Sequence, residues 1–254
     1  MSVLEVRDLS IRFGGLQALQ DFTLEVNEYE IVGLIGPNGA GKTTAFNCIT
    51  GFYQADSGSV SYRGKDVTKT PPHLKAQMGF GRTFQNVGMV KSATALENLK
   101  TAQHAKAGYD VGSGLIGTGS ALRAEKELTA KADAILDLLG LASIRNKRVG
   151  GQSYGTLKLL ELGCALATDP DVLLLDEPAS GLSRGERERL SELLELLPAE
   201  TTLLLIEHDM DVAFQVGRRV VVMSDGLLVA SGTPDEIQAN TLVHDIYLGS
   251  EALS

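Results

Sequence analysis

Eight residues, GPNGAGKT from Gly36 to Thr43, have the types and spacing to hold a chain of phosphates. They match GxxxxGK[ST]. EIVGLIG before them reads as a buried strand, and TTAFNCIT after them as a helix ended by Gly51. Strand, loop and helix in that order are the context the motif requires. Gly36, Gly39 and Gly41 let backbone N–H groups turn inward onto phosphate oxygens, and the helix N-terminus adds partial positive charge. Pro37, Asn38, Ala40 and Thr44 belong to the same cradle. Lys42 would neutralise the β- and γ-phosphates, and the Thr43 hydroxyl would sit on Mg²⁺.

A second group of residues makes sense only beside that loop. VLLLDE, Val172 to Glu177, is an apolar run closed by two acids. Asp176 is placed to hold the Mg²⁺ shell, and Glu177 to polarise an attacking water as a general base. Alone, a strand ending in Asp-Glu is a weak signal; next to a phosphate loop it is a strong one. His208 ends the strand of LLLIE. A lone histidine is by default a surface or satisfied residue, and no second ligand at metal spacing supports a zinc site. Because its strand is expected to end on the same sheet edge as the phosphate loop, a hydrogen bond near the γ-phosphate is the preferred role. Ser153-Tyr154-Gly155, in QSYGTLKLLELGCAL, opens an apolar helix and could also hold a phosphate.

The elements around these residues alternate. The first thirty residues read as antiparallel strands turning at Gly14-Gly15, and SGSVSYRGKDVT as another strand pair. DVLLLDEP and TTLLLIEHD fit buried parallel strands with polar groups at their C-terminal ends. ERERLSELLELLP reads as an amphipathic helix, RRVVVMSDGLLVASGT as a hairpin turning at Asp225-Gly226, and Pro234 as the first turn of a helix. From about residue 91 to 165 the spacing of Leu128, Ile135, Leu136, Leu138 and Leu139 is helical; GYDVGSGLIGTGS within it reads as an exposed loop. The fold class is α/β. A P-loop core of mostly parallel sheet flanked by helices carries an N-terminal antiparallel β subdomain and an inserted α-helical subdomain, within one domain spanning 1–254.

With 254 residues, 43% of them hydrophobic and 22% charged, the chain can bury a sizeable core. A net charge of −9 argues against a nucleic-acid partner, which needs a basic face. No apolar run reaches the length of a membrane span, and MSVLEVRDLSIRF lacks a signal-peptide core, so a cytosolic chain is expected. Cys48 and Cys164 have no metal spacing and fall in apolar helices, which suggests two reduced thiols.

Taken together, in this order, the motifs resemble the ATP-binding-cassette ATPases over nearly the whole chain. GPNGAGKTTAFNCITGFYQADSG, GRTFQNVGMVKSATALENL, LLLDEPASGL, LLIEHDMDVAF, ASGTPDEI and IYLG look like the ATPase subunits of branched-chain amino-acid importers. The resemblance implies ATP and Mg²⁺ as ligands. It implies Phe13 as an adenine-stacking aromatic, Gln85 as a catalytic residue and contact to Mg²⁺, and His208 beside the γ-phosphate. It also implies that Ser153, Tyr154 and Gly155 face nucleotide held by a second ATPase subunit, identical or homologous. Further partners would be membrane permease subunits and, indirectly, a solute-binding protein. The chain would then lie peripherally on the inner face of the cell membrane. The alternative within the superfamily is the ATPase of a lipid or lipopolysaccharide exporter. Translation or repair proteins of the same superfamily fit poorly, because this chain has one cassette and a short insert.

The sequence departs from the family pattern mainly around its signature. Gln152 stands for the usual Leu, Thr156 for Gln or an acid, and Gly163-Cys164 for Ala-Arg. Ser183 stands where Asp or Asn is common. Slower hydrolysis at the site built on this signature is the consequence to be tested.

Overall fold

The structure is a computed structural model that describes residues 1–83, 89–107 and 119–251. Two compact units divide the chain: Met1–Phe80 with Val172–Ser254, and Gly81–Asp171.

In the first unit, β1 (Ser2–Phe13) and β2 (Leu16–Asn27) form an antiparallel hairpin around Gly14-Gly15. Alternation buries Leu4, Val6, Leu9 and Ile11 on one strand and Phe22, Leu24 and Val26 on the other. The pairing shifts register at several points, so two long strands bend rather than break. β4 (Ser57–Tyr62) adds to β1, and β5 (Lys65–Asp66) closes a four-stranded sheet of order β2-β1-β4-β5.

The second sheet has the order β10-β9-β3-β8-β7-β6. β3 (Ile31–Ile35) runs parallel to β8 (Leu203–Ile206) on one side and to β9 (Arg219–Ser224) on the other. β7 (Val172–Asp176) runs parallel to β8, and β10 (Leu227–Gly232) folds back antiparallel on β9. β6 (Phe80–Arg82) is the edge strand on which the chain leaves this unit. Every residue of β3, β7 and β8 is buried, as expected of parallel strands covered on both faces. Such a run has no polar side chain until it ends, so chemistry collects at the strand ends. The registers Leu34↔Ile206 and Asp176↔Ile206 put those three ends level.

Helices follow from these ends. α1 (Lys42–Thr50) starts from the glycine-rich loop and stops at Gly51, which takes the left-handed conformation at φ 85°. α2 (Pro72–Gln77), α6 (Arg184–Glu195) and α7 (Met210–Val216) follow in the chain. The tail holds two helices, α8 (Pro234–Gln238) and α9 (Thr241–Glu251); Asn240 Oδ1 accepts the Leu242 N–H at 3.0 Å where the chain restarts. Phe22 from the hairpin, Phe46 from α1, and Leu34, Leu174 and Leu204 from the parallel strands share one apolar cluster. That cluster fixes the helix and loop against the sheet.

The second unit is helical, with α3 (Ala95–Ala107), α4 (Gly119–Leu138) and α5 (Tyr154–Ala167). Gly163 lies where these helices meet. A Cβ there would come within 2.8 Å of Leu139, 3.2 Å of Leu99 and 3.3 Å of Ile135. Glycine in place of alanine is therefore a packing choice: it lets α5 approach both neighbours closely. The glycine-rich stretch at 108–118 lies outside the described residues.

Candidate nucleotide site

The loop between β3 and α1 is shaped by glycines in conformations other residues resist. Gly39 has φ 84° and Gly41 φ 98°. A Cβ on Gly41 would meet the Ala18 carbonyl at 2.5 Å, and one on Gly36 the Met223 carbonyl at 2.2 Å. Pro37, Thr43 and Thr44 are half-buried, Asn38 and Gly39 exposed, and Ala40 buried. Lys42 is buried, and its Nζ donates to the carbonyls of Gly36 at 2.6 Å and Pro37 at 3.0 Å. Burial pushes its pKa down, against the pull of Glu177, Asp176 and Glu207.

Those three carboxyls come from the ends of β7 and β8. Asp176 is the last residue of β7 and is buried. Glu177 follows with φ 47°, a conformation that needs support in a residue with a side chain. Its N–H donates to the Ile206 carbonyl at 2.9 Å. One turn on, the Ala179 N–H donates to Glu207 Oε1 at 2.8 Å. His208 is exposed, with Nδ1 3.8 Å from Glu207 Oε2. One edge of the sheet thus gathers the loop, its lysine, Asp176, Glu177 and His208. A cation over a rim of N–H groups faces clustered carboxylates, an arrangement able to take a polyphosphate and a divalent cation together.

Residues 19–180 match the family model described as ABC transporter. Residues 228–252 match a second model, for branched-chain amino acid ATP-binding cassette transporters. The chain is 42% identical to the high-affinity branched-chain amino acid transport ATP-binding protein LivG of Salmonella typhimurium, covering 97% of this chain and 98% of that one. It is equally similar, over the same shares, to BraF of Pseudomonas aeruginosa. Among solved structures it superposes on the ADP conformation of MJ1267, an ATP-binding cassette of an ABC transporter. There the TM-score is 0.83 and the identity 33%, over 98% of this chain and 99% of that one. The chain belongs to the ABC transporter family. It is an ATP-binding cassette, and its activity is ATP hydrolysis.

Phe13, at the end of β1, is 45% exposed, and its ring meets Tyr53 edge-on with centroids 5.3 Å apart. An aromatic face is therefore available there, and it comes as a pair. Gln85 lies outside the described residues. In the helical unit, Ser153 is the N-cap of α5: its Oγ accepts the Thr156 N–H at 3.3 Å and lies 3.0 Å from Thr156 Oγ1. Tyr154 is exposed and Gly155 buried. Ser183 caps α6, its N–H and Oγ both donating to Glu186 Oε2, at 2.9 and 2.7 Å. A serine can do there what an Asp or Asn cap does.

Three residues of the cassette escaped the sequence reading. Tyr53 follows the helix-ending Gly51, and only its partner Phe13 gives it meaning. Tyr247 on α9 is half-buried beside the cluster of Ile35, Val220 and Val222; burial pushes its hydroxyl up to about 12, against the pull of the Gly36 N–H. Glu207 is fully buried, and the signal was available: it stands one residue past the apolar strand, level with Glu177 across the sheet.

Proposed function

We propose that this cassette uses ATP to drive uptake of branched-chain, or other hydrophobic, amino acids through membrane permease subunits. The observation that carries the solute class is the match of residues 228–252 to the branched-chain cassette model, joined to 42% identity along the chain with proteins named for that transport. Among the described residues no helix is long and apolar enough to cross a membrane, and on this reading the passage for solute belongs to permease subunits. A place on the inner face of the cell membrane follows from that reading.

The chain's residues divide the work. Backbone N–H groups of the loop from Gly36 to Thr44 hold the phosphates, and Lys42 exchanges the Gly36 and Pro37 carbonyls for β- and γ-phosphate oxygens. Thr43 and Asp176 fit an Mg²⁺ shell, with Gln85 as a further ligand; the ion would balance charge on the phosphates. Glu177 orients the attacking water and accepts its proton, and His208 donates a hydrogen bond toward the γ-phosphate. Phe13 stacks on adenine. Ser153, Tyr154 and Gly155 complete the site of a second cassette, so that two chains close over two nucleotides and hydrolysis releases them.

The test is reconstitution with the permease subunits and the solute-binding protein. Leucine, isoleucine and valine should each drive uptake that needs ATP and stops in Glu177→Gln. Uptake of none of them, or stimulation of turnover by a lipid or lipopolysaccharide instead, would overturn the reading.

A further inference from the structure

Glu207 has an unusual place. It is 0% exposed, one residue past a strand whose residues are all apolar. Its backbone N–H donates to the Leu34 carbonyl at 3.1 Å, which pins it to β3. Its Oε1 accepts the Ala179 N–H at 2.8 Å, while Oε2 carries no hydrogen bond and faces His208 Nδ1 at 3.8 Å. A carboxyl shut away from water is costly to keep unless something depends on it.

What depends on it is the turn after β7. Glu177 sits at φ 47°, a backbone conformation costing on the order of 1–2 kcal/mol for a residue with a Cβ. Such a conformation persists only where its surroundings over-determine it. Two hydrogen bonds do so here. The Glu177 N–H is held by Ile206, and two residues later the Ala179 N–H is held by Glu207. Both anchors belong to adjacent residues of β8 and the position just after it. The peptide that aims Glu177 is thus clamped at both ends by one neighbouring strand. The same carboxyl reaches toward His208, the other residue expected at the γ-phosphate.

We propose that Glu207 is a positioning residue for hydrolysis, fixing the Glu177–Ala179 turn through the Ala179 N–H so that Glu177 holds its water in line. This rests on the assignment of Glu177 as the residue that orients water. A misplacement of about 1 Å in such a group is enough to lower a rate about 100-fold. ATP is held by the loop before α1 and not by this turn, so affinity for ATP should be spared.

The experiment measures kcat and KM for ATP in the assembled transporter carrying Glu207→Ala, Glu207→Gln or Glu177→Gln. Glu207→Ala should lower kcat at least about tenfold with KM changed less than about twofold. Glu207→Gln keeps an oxygen to accept the Ala179 N–H and should restore most of kcat. If Glu207→Ala does not assemble, the Gln variant still decides, because a kcat near wild type is required of it. Full kcat in Glu207→Ala, or equal loss in Ala and Gln variants, overturns the proposal. Retained turnover in Glu177→Gln would instead sink the assignment of Glu177 on which it rests, and the two failures are separable.

Discussion

Lys42 Nζ donates to the Gly36 carbonyl at 2.6 Å, so the loop's only charged side chain is folded back on the loop's own first residue. The lysine is desolvated and offers its charge only after leaving those carbonyls for a ligand with more negative oxygens. Lys42→Ala should therefore lose most of the ligand's effect on stability. Thermal unfolding of the full chain with and without ATP reads this directly. A ligand at 100 times its dissociation constant stabilises by about 2.7 kcal/mol, and that increment should fall towards zero in the variant. An undiminished ATP-induced shift would show that the backbone amides alone hold the nucleotide.

Gly39 and Gly41 separate two reasons for glycine. Both have positive φ, at 84° and 98°, but a Cβ on Gly39 meets nothing within 4 Å while one on Gly41 meets the Ala18 carbonyl at 2.5 Å. Gly39→Ala should cost about 1–2 kcal/mol for the left-handed conformation alone. Gly41→Ala should cost more, because a backbone oxygen of β2 must move. Denaturant unfolding of the two variants checks the order, and equal losses would mean that the β2 contact yields freely.

Lys75 supplies a pH signature. It is buried on α2, its Nζ donates to the Ile49 carbonyl at 2.7 Å near the end of α1, and it lies 5.9 Å from the centre of the Phe80 ring. Burial pushes its pKa down to about 8 from 10.5, against the pull of Cys48 and Asp66. Between those two values the unfolded chain binds more protons than the folded one, so this group makes stability rise with pH. The penalty is complete below about 8 and gone above 10.5. Relative to Lys75→Met, the wild-type chain should gain about 2 kcal/mol between pH 7 and pH 9.5. Parallel pH profiles for the two proteins would show instead that Lys75 keeps its ordinary pKa.

Much of the site was legible because its residues are consecutive. GPNGAGKT and LLLDE each carry a local geometry, and buried parallel strands force their acids to the strand ends. What escaped depends on contacts between distant positions. Glu207 reads as one more polar residue after LLLI until Ala179 is seen to lean on it, 28 residues back. Lys75 looks like a surface lysine until α2 is seen to bury it beside Ile49. Gly163 and Ser183 looked like losses against the family pattern, yet one is a close helix contact and the other a working cap. A cap does not bear on turnover, so Ser183 still motivates the expectation of slow hydrolysis.

Thr156 motivates it too, through Ser153. The two hydroxyls lie 3.0 Å apart, so the side chain expected to meet a partner's phosphate is engaged within its own helix turn. Thr156→Gln removes that hydroxyl and should raise turnover in the assembled transporter; no change, or a fall, would leave the Thr as a neutral replacement. Ser153→Asp is the sharper variant. Aspartate caps a helix as well as serine does, so stability should move by less than about 0.5 kcal/mol. Its charge, however, would oppose a phosphate brought by another chain. ATP binding by the isolated chain should survive, while turnover of the complex should fall at least about tenfold. Nucleotide titration of the isolated chain beside steady-state turnover of the complex separates the two. Loss of ATP binding in the isolated chain would mean that Ser153 serves its own nucleotide.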